Sequence, residues 1–514
     1  MASRAPAGEP SRPAAALSGV VAGAAALGVA ELVAGLLPGT GSLVVAIGDL
    51  AIALQPPGAK QFVVNLFGTA DKLVLNLFIV AVALAGSAVL GLLARRRMGF
   101  ARAGFAVVGI GALAATLRDP LVEPLPAVVV AAVSIGAATL SLPRLMRLAT
   151  PTPEVAEMPE WGRRRFIGTS LAVAGLALGG GWLGRSLLDT RRESRPQSGT
   201  IPEPVEAAPP PPEGASLSVT GLSPVVTPNT EFYRIDTALL VPRPSIETWR
   251  LAVTGMVDRP LELTYDELLA MPLYEQYVTI ACVSNEVGGD LVGNALWTGA
   301  RLKEVLERAG VQAGATQIVG RAVDGFTVGF PTAWAMAPER EPLVAVAMNH
   351  EPLPPAHGYP ARLIVPGLYG YVSATKWLKE IELTTLEAFD AYWVPLGWAK
   401  EAPILTQSRI DTPLNGSGLP AGTVPVAGVA WAPDRGVGKV EVQVDEDGWR
   451  EAELSTPIAD ATWVQFVYRW EAPPGDHLLR VRATDGLGDV QTEMRTPPPP
   501  DGARGHHTIR VSVS

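Results

Sequence analysis

The sequence predicts a multi-domain chain in three parts: an all-α membrane region, a mixed α+β domain and a β-sandwich. Three observations predict it. Long apolar stretches almost free of charge are confined to roughly residues 14–188. Helical and strand signals then alternate from residue 217 to about 394. After Ala402 short alternating strands are separated by turn residues, the pattern of a sandwich of about 100 residues. A length of 514 residues accommodates about three domains. A mean hydropathy of +0.24, with 48% hydrophobic residues, is high for a chain that meets only water.

In the first part, residues 1–188, five spans are expected at 14–37, 72–94, 100–117, 125–142 and 166–188, each close to the length a bilayer requires. The segment 43–54 is too short to cross and, with 62–67, is expected at the interface or as a re-entrant stretch. Arg4 and Arg12 precede the first span, Arg95, Arg96, Arg97 and Arg102 lie between the second and third, and Arg144, Arg147, Arg163, Arg164 and Arg165 lie between the fourth and fifth. All three groups fall on one side, which the positive-inside rule makes cytoplasmic. The protein is therefore expected in the cell membrane as a multi-pass chain in contact with lipid, with everything after residue 188 outside the cytoplasm. Glu31, near the outer end of its span where it can snorkel, and Asp49, in the short segment, are acidic groups in or near the apolar stretches.

Residues 1–195 hold 18 of the 41 Lys and Arg and 11 of the 50 Asp and Glu, so the remainder carries 23 basic against 39 acidic side chains, a formal charge of −16. Such a charge argues against nucleic acid as a partner and suits a domain held off an anionic membrane surface. Between the two lies 189–216, charged and then Pro-rich (Pro202, Pro204, Pro209 to Pro212), expected as a semi-rigid linker.

The α+β domain is expected over 217–400, with strands at 248–257 and 276–281, a helix start at Thr264-Tyr-Asp-Glu267 and an amphipathic helix at 301–309, whose apolar positions are core. The terminal sandwich is expected over 401–514, with strands at 437–444, 462–470 and 477–483. His506 and His507 are adjacent on a strand, so they point to opposite faces and are expected to be structural.

The fifth span opens Arg163-Arg-Arg-Phe-Ile-Gly168 and resembles a twin-arginine export signal placed internally. Such signals accompany proteins that fold, commonly around a cofactor, before they cross. With no small-residue cleavage motif near its end, the segment is expected to stay as an anchor.

Cys282 is the only cysteine, so it cannot staple the fold and is either a core residue or a ligand or nucleophile. It sits in Thr279-Ile-Ala-Cys-Val-Ser-Asn-Glu286, followed by Gly293-Asn-Ala-Leu-Trp-Thr-Gly-Ala-Arg-Leu302, His357-Gly-Tyr-Pro-Ala-Arg362-Leu-Ile-Val-Pro-Gly367, Gly370 and Lys376-Trp-Leu378. In order and spacing these segments resemble the sulfite oxidase family of molybdopterin-dependent oxidoreductases, over roughly residues 230–394. The terminal sandwich resembles that family's Ig-like dimerisation domain, so the likeness covers about 290 residues and omits the five spans.

The resemblance implies a fold of sulfite-oxidase-type molybdopterin domain followed by an Ig-like β-sandwich, and a two-electron oxygen-atom transfer on a small substrate. It places the thiolate ligand to molybdenum at Cys282, a role suited to a soft, polarisable donor on a high-valent metal. It places the pterin-holding His, Arg and Lys at His357, Arg362 and Lys376, with Arg234 of Phe232-Tyr-Arg234 and Asp324 as further candidates. Arg gives a bidentate clamp for phosphate, Lys a point charge, and Asp accepts from pterin N–H groups.

The chain also departs from that pattern. Sulfite-oxidising members follow the cysteine with Ala-Gly-Asn-Arg, whereas here Val283-Ser-Asn285 leads to Glu286, a carboxylate that disfavours a dianionic substrate if it lies near the metal. The tyrosine expected beside the metal has no clear equivalent among Tyr392, Trp393 and Trp398, and one extra residue separates Gly367 from Lys376. No Cys-x-x-Cys-His is present, and all five histidines (His350, His357, His477, His506, His507) follow the spans, so a separate electron carrier is expected. Homodimerisation through the sandwich is a further expectation. The reading from another class is a cofactor-free cell-surface binding or assembly protein built on the same fold.

Overall fold

The computed structural model describes residues 9–55, 71–119, 122–150, 159–193, 200–239, 241–337 and 340–514. Residues 62–67, expected at the membrane interface, lie outside the described residues. The chain divides into two compact units, Met1–Pro196 with Ala238–Leu240, and Gln197–Thr237 with Val241–Ser514.

The first unit contains α1 (Arg12–Leu36), α2 (Leu43–Leu54), α3 (Asp71–Ala94), α4 (Met98–Thr116), α5 (Pro124–Ala149) and α6 (Pro159–Glu193). Among the described residues, five helices are long and apolar enough to cross a membrane by length and composition, and α2 is not. Ser11 and Ser42 cap α1 and α2 by accepting from the N–H groups of Ala14 and Val45. Packing centres on α1, which lies against α3, α5 and α6. Its small residues allow this: a Cβ on Gly19 would stand 2.0 Å from the Ser87 carbonyl oxygen and 2.8 Å from Gly91 Cα. Glu31 does not simply snorkel, because its Oε1 accepts a 2.5 Å hydrogen bond from Ser42 Oγ at the start of α2.

The second unit opens with β1 (Arg250–Gly255), β2 (Leu261–Thr264), α7 (Tyr265–Leu269), β3 (Leu273–Ala281) and β4 (Val292–Arg301). It continues with α8 (Leu302–Ala309), β5 (Gln317–Ala322), β6 (Thr327–Pro331), β7 (Leu343–Met348), β8 (Glu351–Pro352), β9 (Arg362–Ile364) and β10 (Leu378–Thr384). Thr264 and Glu267 form a capping box that starts α7. Leu302, Val305, Leu306 and Ala309 form the buried stripe of α8, as their spacing predicts. One sheet runs β3-β4-β7-β8 with β9 on β7, and the other β2-β1-β10-β5-β6. β4 is buried along nearly its whole length between β3 and β7, which makes it a rigid neighbour for the strand that leads to Cys282.

The C-terminal region is β-rich: β11 (Gln407–Thr412), β12 (Gly418–Leu419), β13 (Gly422–Trp431), β14 (Val437–Val444), β15 (Arg450–Glu451), β16 (Glu453–Leu454), β17 (Val464–Ala472), β18 (Gly475–Asp485) and β19 (His507–Val513). Its sheets, β11-β13-β17-β16 and β12-β19-β18-β14-β15, share one core in which Val426 and Phe466 of the first meet Val442, Val481 and Ile509 of the second. Trp431 and Trp463 instead join the core of the α+β region, so the two regions are sealed by common packing.

The Pro-rich stretch behaves differently from a free spacer over its described part. Val205 N–H donates to the Leu273 carbonyl (2.8 Å), Glu275 N–H donates to the Glu206 carbonyl (3.0 Å), and Thr456 N–H donates to the Gly214 carbonyl (2.9 Å). For Val205 and Glu206 the reason is the free edge of β3, whose unpaired backbone groups need partners, and a segment between prolines can supply them.

Candidate cofactor site

Cys282 lies just past β3 and is 8% exposed. Its N–H donates to the Leu291 carbonyl (2.9 Å), and its own carbonyl accepts from Asn285 N–H (3.0 Å). Asn285 Oδ1 accepts in turn from Leu291 N–H (2.9 Å), so the turn carrying the thiol is closed on itself. Glu286 is exposed in this turn, and its carbonyl accepts from Gly289 N–H.

Two phenols lie within electrostatic reach of the thiol. Burial holds Tyr233 well above the ordinary tyrosine range, with Cys282 adding to the shift and Arg362 opposing it. Burial likewise raises Tyr369, and Cys282 again contributes. Both are therefore neutral hydrogen-bonding groups at physiological pH.

The basic cluster comes from three segments. His357 ends a short 3-10 turn, Arg362 opens β9 and Lys376 immediately precedes Trp377. Their convergence requires Gly358: its φ is +113°, and a Cβ there would lie 3.0 Å from Lys376 Cα and 3.1 Å from Arg362 Cβ. Trp377 also has a left-handed backbone, at φ +49°, which costs about 1–3 kcal/mol in a non-glycine residue. It is held by its N–H on the Gly358 carbonyl (3.2 Å), its Nε1–H on the Pro355 carbonyl (2.8 Å) and its own carbonyl accepting from Val323 N–H (2.9 Å).

Arg362 is 3% exposed, donates from Nη1 to the His357 carbonyl (2.9 Å) and lies over the Trp297 ring, with Cζ 5.0 Å from its centre. Burial lowers its pKa to about 10. His357 is 5% exposed, and its Nε2–H donates to the Asn229 carbonyl (3.1 Å), which leaves Nδ1 as a lone-pair acceptor. Burial first, then Arg362 and Lys376, lower its pKa to about 4, so it is neutral. Lys376 Nζ donates to the Ala356 carbonyl (3.0 Å) and pairs with Asp236 Oδ2 (3.4 Å). Burial lowers its pKa to about 8; Asp236 resists the fall, while Arg362 and Arg234 add to it. Arg234 is 38% exposed and holds the same Asp236 Oδ2 through Nε at 2.8 Å.

Arg234, His357, Arg362 and Lys376 thus influence one another electrostatically, and Tyr233 lies under the influence of both Arg362 and Cys282. Asp324 is placed in the β5–β6 turn, where its Oδ1 accepts from Phe326 N–H (3.1 Å), the geometry of a turn cap. Tyr392 packs on Phe326 and Trp393, and Trp398 on Tyr371, as an aromatic cluster. Sequence reasoning missed Tyr233, Asp236 and Tyr369. The signal was partial: Tyr233 and Asp236 flank Arg234, and Tyr369 lies between Gly367 and Gly370.

The residues fit an anionic pterin group. Among the described residues, the buried His357 Nδ1, Tyr359 hydroxyl, Arg362 Nε and Thr375 Oγ1 have no hydrogen-bond partner in the protein. Buried polar atoms of this kind are normally satisfied, and a buried guanidinium with no carboxylate on it calls for an anion.

The family model described as "Oxidoreductase molybdopterin binding domain" matches residues 238–393. Human mitochondrial sulfite oxidase is 30% identical over 325 residues, 53% of this chain and 58% of that protein. NADH nitrate reductase 1 of rice (Oryza sativa subsp. japonica) is 35% identical over 178 residues, 30% of this chain and 19% of that protein. The oxidoreductase YuiH of Bacillus subtilis (strain 168), described as uncharacterized, is 37% identical over 150 residues, 29% of this chain and 72% of that protein. The chain belongs to the sulfite oxidase family of molybdopterin oxidoreductases. Membership brings the molybdopterin cofactor with it. The chain spans 58% of human sulfite oxidase, so the family likeness covers a little over half of that relative. Within this sulfite oxidase-type domain the matched residues include His357, Arg362 and Lys376 as well as Cys282.

Proposed function

We propose that the protein is a membrane-anchored, extracytoplasmic molybdopterin-dependent oxidoreductase that performs two-electron oxygen-atom transfer on a small substrate, either a sulfite-like oxyanion or a sulfoxide or similar oxide. The observation that carries this reading is a basic cluster in which the buried His357 Nδ1 and Arg362 Nε lack protein partners, with Tyr233 under the electrostatic influence of both Arg362 and the lone thiol. Bound there, the molybdenum cofactor supplies a two-electron couple able to exchange one oxygen atom with the substrate. Cys282 is the metal ligand. Arg362 and Lys376 hold the anionic end of the pterin cofactor, with the more exposed Arg234 at the edge of the cluster, and neutral His357 offers Nδ1 as an acceptor. Asp324 belongs to the site through the turn it caps, whose Val323 N–H binds the Trp377 carbonyl beside Lys376. Tyr233 and Tyr369 stay protonated near the thiol and present hydrogen bonds without adding charge.

The electrons leave or enter singly through a separate carrier. The apolar helices anchor the chain in lipid, and the Arg163-Arg164 pair directs export of the folded part in the twin-arginine manner, which agrees with loading of a cofactor before translocation. The C-terminal region is read as an Ig-like domain that pairs two copies. Metal and pterin analysis of protein from a molybdate-replete host tests the central reading. Stoichiometric molybdenum with pterin fluorescence is expected, and material empty of both overturns it in favour of a cofactor-free binding protein. Steady-state assays with sulfur oxyanions and with sulfoxides then separate the two directions.

A further inference from the structure

The turn that carries Cys282 is gripped from outside its own domain. On the strand before the thiol, Thr279 is fully buried, its N–H donates to the Ala461 carbonyl (2.9 Å), and its Oγ1 accepts from Trp463 N–H (2.8 Å). The same hydroxyl donates to Asn294 Oδ1 (3.1 Å) on β4. Trp463 is itself fixed, with Nε1–H on the Val225 carbonyl (2.8 Å). Both Ala461 and Trp463 belong to the turn that leads into β17.

After the thiol, a second set of contacts arrives from β11 and β19. Arg409 donates from Nη1 to the Gly289 carbonyl (2.9 Å), from Nη2 to Ser223 Oγ (2.9 Å), and pairs through Nε with Asp411 Oδ1 (2.6 Å). Asp411 Oδ2 accepts from Ser223 N–H (3.0 Å), so the guanidinium is fixed on both flanks. Beside it, the His507 ring lies against Gly288. A Cβ there would stand 2.2 Å from His507 Cδ2, and the φ of +82° already favours glycine. His507 Nδ1 accepts from Ile410 N–H (3.0 Å), which fixes the ring as well.

We propose that the C-terminal β region is a structural part of the thiolate site, with Arg409, His507 and the Ala461–Trp463 turn acting as positioning elements that clamp the chain on both sides of Cys282. The clamp sets where the sulfur points and how far the turn can open. An interaction between two domains thereby becomes a condition for a well-formed metal ligand. Its functional meaning rests on Cys282 being that ligand, but the clamp itself is a property of the polypeptide.

The single cysteine gives a direct readout. The full chain from a molybdate-starved host, purified in detergent, is treated with iodoacetamide at fixed pH, and the alkylation rate of Cys282 is measured together with amide exchange over residues 282–291. Arg409→Gln and Thr279→Val are each expected to raise the alkylation rate by about tenfold or more, the scale of one buried or charge-assisted hydrogen bond. Arg409→Lys is expected to lie between Arg409→Gln and wild type, because an ammonium supplies the charge but not the fork. His506→Gln is expected to match wild type, since His506 faces Trp449 and the Gln491 carbonyl instead of this turn.

Wild-type rates in both Arg409→Gln and Thr279→Val would overturn the clamp. Should Arg409→Gln lose exchange protection throughout β13 and β17, Ser223→Ala replaces it, trimming one Arg409 contact. A modest rise then supports the clamp and an unchanged rate overturns it. Absence of molybdenum from replete wild-type protein would remove the proposed function without altering these rates, so the two failures are distinguishable.

Discussion

Asp236 and Lys376 are paired across 140 positions of sequence, with Oδ2 3.4 Å from Nζ and both side chains largely shielded from solvent, at 5% and 12% exposure. The carboxylate is the influence that opposes the burial, Arg362 and Arg234 effects depressing Lys376 to about 8. Removing it lowers that value further. In the cofactor-free chain, acylation of Lys376 followed by peptide mapping is expected to titrate near pH 8 in wild type and at lower pH in Asp236→Asn. An unmoved midpoint would show that Asp236 does not govern the lysine.

Gly358 is expected to tolerate no side chain. Alanine there meets both a left-handed φ and contacts of 3.0–3.1 Å with the Lys376 and Arg362 segments. Gly358→Ala should cost about 1–3 kcal/mol of stability in thermal unfolding. It should also reduce pterin content, because the basic residues are pushed apart. Normal melting and normal pterin would place the convergence elsewhere.

Cys282→Ser changes one buried atom and should leave the far-ultraviolet circular dichroism intact. The molybdenum-centred absorption features should disappear or shift, since a hydroxyl is a harder and poorer donor than a thiolate. Identical spectra in variant and wild type would exclude the cysteine as ligand.

His507 predicts a pH dependence with a definite sign. Burial, with Arg409 next in size, lowers its pKa from 6.5 in the unfolded chain to about 4 in the fold. The stabilisation is complete above pH 6.5 and is lost as pH falls through about 4, because only the unfolded chain takes up a proton in that window. Urea midpoints measured from pH 7 down to pH 4 should fall more steeply for wild type than for His507→Gln. Parallel curves would mean that the ring does not titrate as its surroundings require.

Arg163→Lys with Arg164→Lys should keep the chain in the membrane while preventing exposure of the C-terminal region outside the cytoplasm, measured by protease protection in intact cells. Normal exposure would separate export from this arginine pair.

The candidate site was legible where residue type and order both carried information. Cys282, His357, Arg362 and Lys376 each suit a soft metal or an anionic pterin, and they occur in one recognisable order. Asp236, Tyr233 and Tyr369 were not, because their value comes from which distant segments the fold brings to them. The amphipathic α8 and the alternating β14 were legible from periodicity, since each needs only one buried face. Residues 200–216 were misleading in a simple way: proline content describes what a segment does alone and is blind to a neighbouring strand in need of partners. The opposite orientation of His506 and His507 follows from strand geometry, whereas the Gly288 contact depends on tertiary packing.

The outer margin of β3 is occupied at both ends by parts of the same polypeptide, Glu206 near its start and Ala461 near its end. Such occupancy leaves a second molecule only a short template for strand addition on this margin. Nicking by a protease within 200–216 would therefore do more than shorten a connector: it would bare a sticky seam on the strand that leads to Cys282, and self-association through that seam should precede any loss of the fold.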